Sequence, residues 1–340
     1  MSLPSPARRA LLEAPRVLLL DGGYGSQFRA LDLPEEAFHP AGLARPPRPL
    51  KGNYELLNLS RPEVVQRLHD AYLEAGADII ESNTFNANPL IQADWGVEAL
   101  APDMARAGAR IARAAADAAM AADPARPRLV AGALGVTRRN PARRGADSPL
   151  GLSGVEEARL QAACRAQAEA MIEGGADLLL IETVTTLANA RLALAATQDA
   201  LRACGADLPI VLSLTVDREG RLESGEALEV AVAALDESGL YALGLNCALD
   251  GRALAGPAAT LAGRSMCRVW LYPNAGYPDA AGRYHEPPAE TAAALAAIAR
   301  AGQVDALGGC CGTTPAHIRA LAEAVRGLRP RHNPDRHTGR

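Results

Sequence analysis

Lysine is almost missing from this chain: Lys51 is the only one among 340 residues. The other cations are arginines scattered among alanines, and the net charge is −4. No dense basic cluster with interleaved aromatic residues stands out, which excludes the electrostatic footprint of a nucleic-acid-binding protein. No apolar run approaches the ~20 residues that a membrane-spanning helix needs. Residues 1–9 lack the apolar core of a secretory signal. Six cysteines in a chain this long make no disulfide framework. These absences leave a soluble, cytoplasmic protein with no nucleic-acid or membrane partner. Its 49% hydrophobic content is enough for a large core in one or two domains.

What the chain does have is an alternation. Short apolar, strand-like runs at 17–21, 78–83, 129–135, 177–182, 210–216, 241–247, 269–274 and 304–309 are each followed by a helix-length, alanine-rich segment. Runs that are apolar throughout mark parallel strands buried on both faces. A count of eight predicts an α/β fold of the (β/α)8 TIM-barrel type rather than an open doubly wound sheet. Glu74-Ala75-Gly76-Ala77-Asp78 is echoed by Glu173-Gly174-Gly175-Ala176-Asp177. Both read as a helix ended by glycine and leading into the next strand. Two proline-rich insertions, 34–59 after the first strand and 138–154 after the third, leave from the C-terminal face where barrel active sites lie. Both are expected to be rim or lid segments. The barrel is assigned to residues 1–328, and 329–340 carries no apolar pattern and is expected to be a disordered tail.

The most informative stretch is Gly308-Gly309-Cys310-Cys311-Gly312-Thr313-Thr314-Pro315, at the end of the last apolar run. Neighbouring side chains on a regular strand point to opposite faces, but glycine tolerates backbone angles that relax this rule. Two thiolates can then converge on one soft metal ion, with zinc the best match. The alternatives are a vicinal disulfide, strained between neighbours, or two buried inert cysteines, which leave the glycine frame unexplained. A third thiolate is available where the sixth strand ends, in Gly244-Leu245-Asn246-Cys247. Cys247, Cys310 and Cys311 would leave a tetrahedral zinc one open position, the pattern of a catalytic site. Cys164, Cys204 and Cys267 are read as ordinary core or surface residues, and no histidine is assigned to the metal. Two carboxylates, Asp21 and Glu182, also end apolar strands, with no arginine in either motif. An acid there is costly to bury without a cation, and a substrate ammonium group would supply one. The polar turn Glu81-Ser82-Asn83-Thr84-Phe85-Asn86 offers backbone N–H groups to a carboxylate. A soft metal, paired acids and an anion cradle together fit a thiol-bearing amino acid.

Asp21-Gly22-Gly23, the Glu81–Asn86 hexapeptide, Ile181-Glu182-Thr183, Gly244-Leu245-Asn246-Cys247 and Gly308-Gly309-Cys310-Cys311-Gly312 resemble the zinc-dependent homocysteine S-methyltransferase family. Lys51-Gly52-Asn53 and Tyr272-Pro273-Asn274-Ala275-Gly276 bring the chain nearest to the homocysteine-binding module of cobalamin-dependent methionine synthase. The resemblance implies a (β/α)8 barrel that takes L-homocysteine to methionine, as in methionine biosynthesis. It implies zinc on Cys247, Cys310 and Cys311, and a substrate amino group facing Asp21 and Glu182. The turn of Thr84, Phe85 and Asn86 would take the substrate carboxylate, and Asn274 matches a position that can occupy zinc when substrate is absent. Coordination removes the thiol proton, and the thiolate attacks the donor methyl. The chain departs from its relatives where the donor approaches: Tyr24 and Ser26 stand where Met and Thr are usual, and Gly135-Val136-Thr137 replaces Gly-Pro-Thr. The favoured donor is methylcobalamin carried by a separate cobalamin- or methyltetrahydrofolate-binding protein. The arginines of the two insertions (Arg45, Arg48, Arg138, Arg139, Arg143, Arg144) are expected to meet that partner. Alternatives are direct transfer from S-methylmethionine, S-adenosylmethionine or a betaine-like donor, and a non-catalytic zinc- and homocysteine-binding subunit.

Overall fold

The computed structural model describes residues 6–44, 48–136 and 154–332. Eight parallel strands, β1 (Leu18–Leu19), β2 (Ile79–Glu81), β3 (Leu129–Gly135), β4 (Leu178–Val184), β5 (Ile210–Leu214), β6 (Ala242–Asp250), β7 (Arg268–Asn274) and β8 (Ala306–Leu307), form one sheet in the order β1-β8-β7-β6-β5-β4-β3-β2. A parallel bridge from Leu20 to Ile79 brings the two ends of the sheet together, so the eight runs of the sequence form the expected TIM-type barrel. Helices Pro62–Ala75, Ala101–Ala122, Gly154–Gly174, Leu187–Cys204, Leu228–Leu235, Ala255–Arg264, Pro288–Arg300 and Pro315–Ala324 follow the strands in turn. None of the described helices is long and apolar enough to cross a membrane.

Two apolar layers result from the two-residue period of a strand. Leu18, Leu20, Ile79, Leu129, Ala131, Leu178, Leu180, Val211, Ala242, Trp270, Tyr272 and Ala306 fill the barrel interior. Their strand neighbours, among them Leu19, Leu179, Ile181, Leu212, Leu243, Leu245 and Leu271, pack outward against the helices. That is why each run is apolar at every position.

The echoed Gly-Ala-Asp segments have a common geometry. Gly76 and Gly175 adopt the left-handed conformation (φ 115° and 97°) that ends the preceding helix. The aspartate then doubles as a ladder partner. Asp78 N donates to Leu19 O (2.8 Å) while Leu19 N donates to Asp78 Oδ2 (3.0 Å). Asp177 makes the same reciprocal pair with Val130 (2.8 and 2.9 Å), and Asp305, entering β8, makes it with Val269 (2.8 and 2.7 Å). Arg16 grips Asp78 through two nitrogens, and Arg113 pairs with Asp177, so each of these buried carboxylates has a guanidinium partner in the ladder.

The first insertion is more than a rim. Phe38, Leu50, Leu56 and Leu57 are at most 2% exposed and belong to the main core. Glu35 accepts from Leu50 N (2.6 Å) and Lys51 N (2.9 Å), which folds the segment back on itself. The second insertion, with Arg138, Arg139, Arg143 and Arg144, lies outside the described residues except for Gly154, which opens a helix. Arg45 and residues 333–340 also lie outside them. Beyond 328 the chain is still tied down at Arg331, whose backbone donates to Val304 O (2.9 Å) and whose guanidinium bonds Ala262 O and Cys267 O (both 3.0 Å).

Because Phe38 is buried against Tyr54 rather than draped on the surface, Phe38→Ala should lower unfolding free energy by about 3–5 kcal/mol in urea titrations. A loss within about 0.5 kcal/mol would mean that the insertion is ornamental.

Candidate active site at the barrel mouth

The inward positions beyond these apolar residues form a polar layer at the C-terminal end, made of Glu81 on β2, Glu182 on β4, Ser213 on β5, Asn246 on β6, Asn274 on β7 and, past β8, Cys310. The floor beneath them is apolar, with Trp270 and Tyr272 the largest members.

The three cysteines meet as expected. The sulfurs of Cys247, Cys310 and Cys311 all lie within 4.8 Å of one another. The adjacent pair converges because the strand stops there: Cys310 N still donates to Pro273 O (2.8 Å), and a turn then brings Thr313 N (3.1 Å) and Oγ1 (2.6 Å) back to Cys310 O. Gly312 takes φ 82° in that turn and lies under Tyr284, where any Cβ would collide. Asn274 Oδ1 accepts from Cys311 N (3.1 Å), so it braces the same turn. Cys247 reaches the cluster with φ 58°, a strained value for a non-glycine residue, and Ala248 follows at 50°. Such strain persists only when its surroundings hold it. Hydrogen bonding to Cys247 and Cys311, then burial, pushes the Cys310 thiol well above its ordinary pKa. Three clustered sulfur donors are a donor set suited to zinc. Cys164 is buried in its helix and, like Cys204 and Cys267, stands apart from this cluster.

Asp21 and Glu182 are both brought to the mouth, 1% and 5% exposed. Glu81 joins them as a third acid that the sequence reading had placed only in a turn motif. Its parity with Ile79 inside the barrel was the available signal. Burial pushes the Asp21 carboxyl up to about 7 and Glu182 up to about 8, with the neighbouring Asp21 charge adding to the latter. Burial and the charges of Glu182 and Asp21 raise Glu81 well above the carboxylate range. No Arg or Lys among the described residues offsets any of the three.

One amide holds Glu182 in place. Asn246 Oδ1 accepts from Ser213 Oγ (2.7 Å) and Thr183 N (3.1 Å), and its Nδ2 reaches Thr183 Oγ1 (2.8 Å) and Glu182 Oε2 (3.3 Å). Thr183 is thereby held at φ 57°, directly after Glu182. The Asp21-Gly22-Gly23 turn lies against the cysteine turn. Gly23 N donates to Thr313 Oγ1 (2.9 Å), and a Cβ on Gly23 would run into Cys310 O.

The turn after β2 departs from expectation. Thr84 is fully buried, with its hydroxyl on Ala133 O (2.7 Å) and its N–H on Ser82 O (2.8 Å). Asn86 N and Nδ2 both donate to Glu55 Oε1 (2.9 and 3.0 Å). Glu55, from the first insertion, thus occupies the donors assigned to a substrate carboxylate. Of Thr84, Phe85 and Asn86, only Phe85 has a backbone N–H with no hydrogen-bond partner among the described residues.

Comparison with known proteins agrees with this geometry. Solved structures of the homocysteine methyltransferase MmuM from Escherichia coli superpose on nearly the whole barrel. The oxidized form gives a TM-score of 0.71 at 27% identity, covering 93% of this chain and 98% of that one. The metallated form gives 0.70 at 26% identity with the same coverage. Residues 18–325, from the first strand to the last helix, match the homocysteine S-methyltransferase family, and the chain belongs to that family.

Proposed function

We propose that this enzyme binds L-homocysteine at the barrel mouth and methylates its sulfur to give methionine, with zinc held by Cys247, Cys310 and Cys311. One observation carries the reading: the buried acids Asp21 and Glu182, with the part-buried Glu81, have no cationic partner among the described residues and stand beside three clustered thiols. An α-ammonium group satisfies the acids, and a thiol three bonds from its α-carbon reaches toward the cysteines. Zinc, when bound, supplies the charge that removes the proton from a thiol whose pKa is otherwise near ~8.5.

The residues of the chain supply orientation. Asp21, Glu81 and Glu182 fix the amino group, and Asn246 keeps the Glu182 carboxylate in place. Phe85 N–H takes the substrate carboxylate. Asn274 and Thr313 hold the cysteine turn. The substrate thiolate then attacks the donor methyl in line. A sulfur–carbon bond forms, the donor keeps the electron pair of the broken bond, and the product is a neutral thioether. Sequence resemblance to the cobalamin-dependent branch favours methylcobalamin on a separate protein as the donor.

Replacing Cys310 by Ala should cost the protein its zinc and at least ~10³ of its turnover with every donor, yet leave the barrel folded, since the core does not rest on the metal. Zinc content by atomic emission and a circular-dichroism melt check both halves. Full zinc occupancy in the variant would refute the ligand assignment.

The raised carboxyls give a pH dependence of known sign. At pH 6 Asp21 is mostly protonated, since burial holds its pKa at about 7, and an ammonium ligand must displace that proton. The affinity ratio of homocysteine to its des-amino analogue 4-mercaptobutanoate should therefore rise from pH 6 to pH 8, the range over which first Asp21 and then Glu182 ionises. The ratio cancels the thiol ionisation common to both ligands, and a flat ratio in calorimetric titrations would count against the acids as the amino-group site.

A donor panel with purified protein and homocysteine tests the last element. Methylcobalamin should support methionine formation, with S-methylmethionine and betaine poor. Efficient turnover with S-methylmethionine in a cobalamin-free assay would replace the donor and leave the rest of the reading standing.

A further inference from the structure

The two oxygens of Asp21 are treated differently. Oδ2 accepts from Tyr24 Oη (2.6 Å) and Glu81 N (2.8 Å), whereas Oδ1 is buried with no hydrogen-bond partner among the described residues. Tyr24 Oη in turn lies 2.7 Å from Nδ1 of His69, a fully buried side chain on helix Pro62–Ala75. A phenol has one proton to give. With Asp21 ionised, that proton lies on the bond to Oδ2, so the imidazole must carry its hydrogen on Nδ1 and donate it to the Tyr24 oxygen. Nε2 of His69 is then a lone pair buried without a partner. An apolar side chain would fill the same space without that penalty. The Tyr24 ring is clamped in place by Tyr72 at 5.6 Å and Phe28 at 6.1 Å between centroids.

We propose that His69 and Tyr24 form a buried positioning relay, His69 Nδ1–H to Tyr24 Oη and Tyr24 O–H to Asp21 Oδ2, that fixes the carboxylate so that Oδ1 alone faces the substrate ammonium group. The relay rests on the amino-group reading above and extends it to two residues that touch no substrate. Its effect is specificity: it favours a thiol bearing an α-ammonium over one without, and leaves the thiol end untouched. Holding Oδ2 on two donors leaves the carboxylate no rotation that would turn Oδ1 away.

The test uses the zinc-loaded protein and calorimetric binding of homocysteine and 4-mercaptobutanoate. Tyr24→Phe should weaken homocysteine about tenfold or more, as expected for losing a hydrogen bond to a charged group. It should leave 4-mercaptobutanoate within about twofold and zinc near one per chain. His69→Leu should behave like Tyr24→Phe. His69→Asn, whose amide N–H falls close to the place of Nδ1, should restore most of the discrimination, and this pair decides the matter where Tyr24→Phe does not fold. Equal weakening of both thiols would mark a merely structural role and overturn the relay, as would unchanged discrimination in Tyr24→Phe beside a discriminating parent. A parent protein that binds both thiols alike would instead remove the amino-group reading itself.

Discussion

Buried negative charge without a built-in counter-charge governs this mouth. Asp21, Glu81 and Glu182 sit together at this mouth, and burial raises the pKa of each, Asp21 to about 7 and Glu182 to about 8, so that an arriving cation favours their ionised forms. The Cys247 and Cys310 thiols beside them are likewise raised above their ordinary pKa. Much of the surrounding structure is a frame for this unmet demand: the Asn246 amide that spans three strands, the glycine turns pressed together at Gly23 and Gly312, and the positive φ angles of Thr183 and Cys247. These features cost stability in the empty protein. On the proposed reading, their return comes on ligand binding, when a metal and an ammonium group meet donors already held in place.

The barrel was legible because burial on both faces leaves an uninterrupted apolar run, and eight such runs were separated by helix-length segments. The cysteine triad was legible because residues at strand ends share a mouth whatever their distance in sequence. Glu81 was harder to read as an acid of the site, since Ser82, Asn83 and Thr84 follow it and make the stretch resemble a turn. Only its parity with Ile79, known to face inward once the barrel is built, separates it from them. Asn86 shows a different limit. Its backbone donor looked available until Glu55, 31 residues earlier, took it. Local sequence shows which groups can bond, and a tertiary contact decides which remain to do so.

The first insertion carries the same lesson in apolar form. Its prolines and arginines suggested a rim, and they hid Phe38, Leu50, Leu56 and Leu57, which are as buried as the strands. Glu55 lies next to Leu56, so burial of the leucines is also what delivers the carboxylate to Asn86. Core and site are built by one segment. The chain's own choice of Tyr24 likewise links a core helix, through His69, to the acid at the mouth.

The aspartates at the opposite pole have a consequence for chemistry they never touch. Strands β1 and β8 have only two regular residues each, too few to hold their own alignment by ladder bonds alone. Asp78, Asp177 and Asp305 each lock a strand to its neighbour at the base, by mimicking one more peptide group in phase with it. Side chains alternate along a strand, so a slip of one residue at the base would exchange every inward group for its outward neighbour at the top. Ile80 would replace Glu81, and Ile181 would replace Glu182. The base is thus the reading frame of the barrel: three salt-bridged or amide-capped aspartates at the floor determine that the mouth presents acids rather than isoleucines.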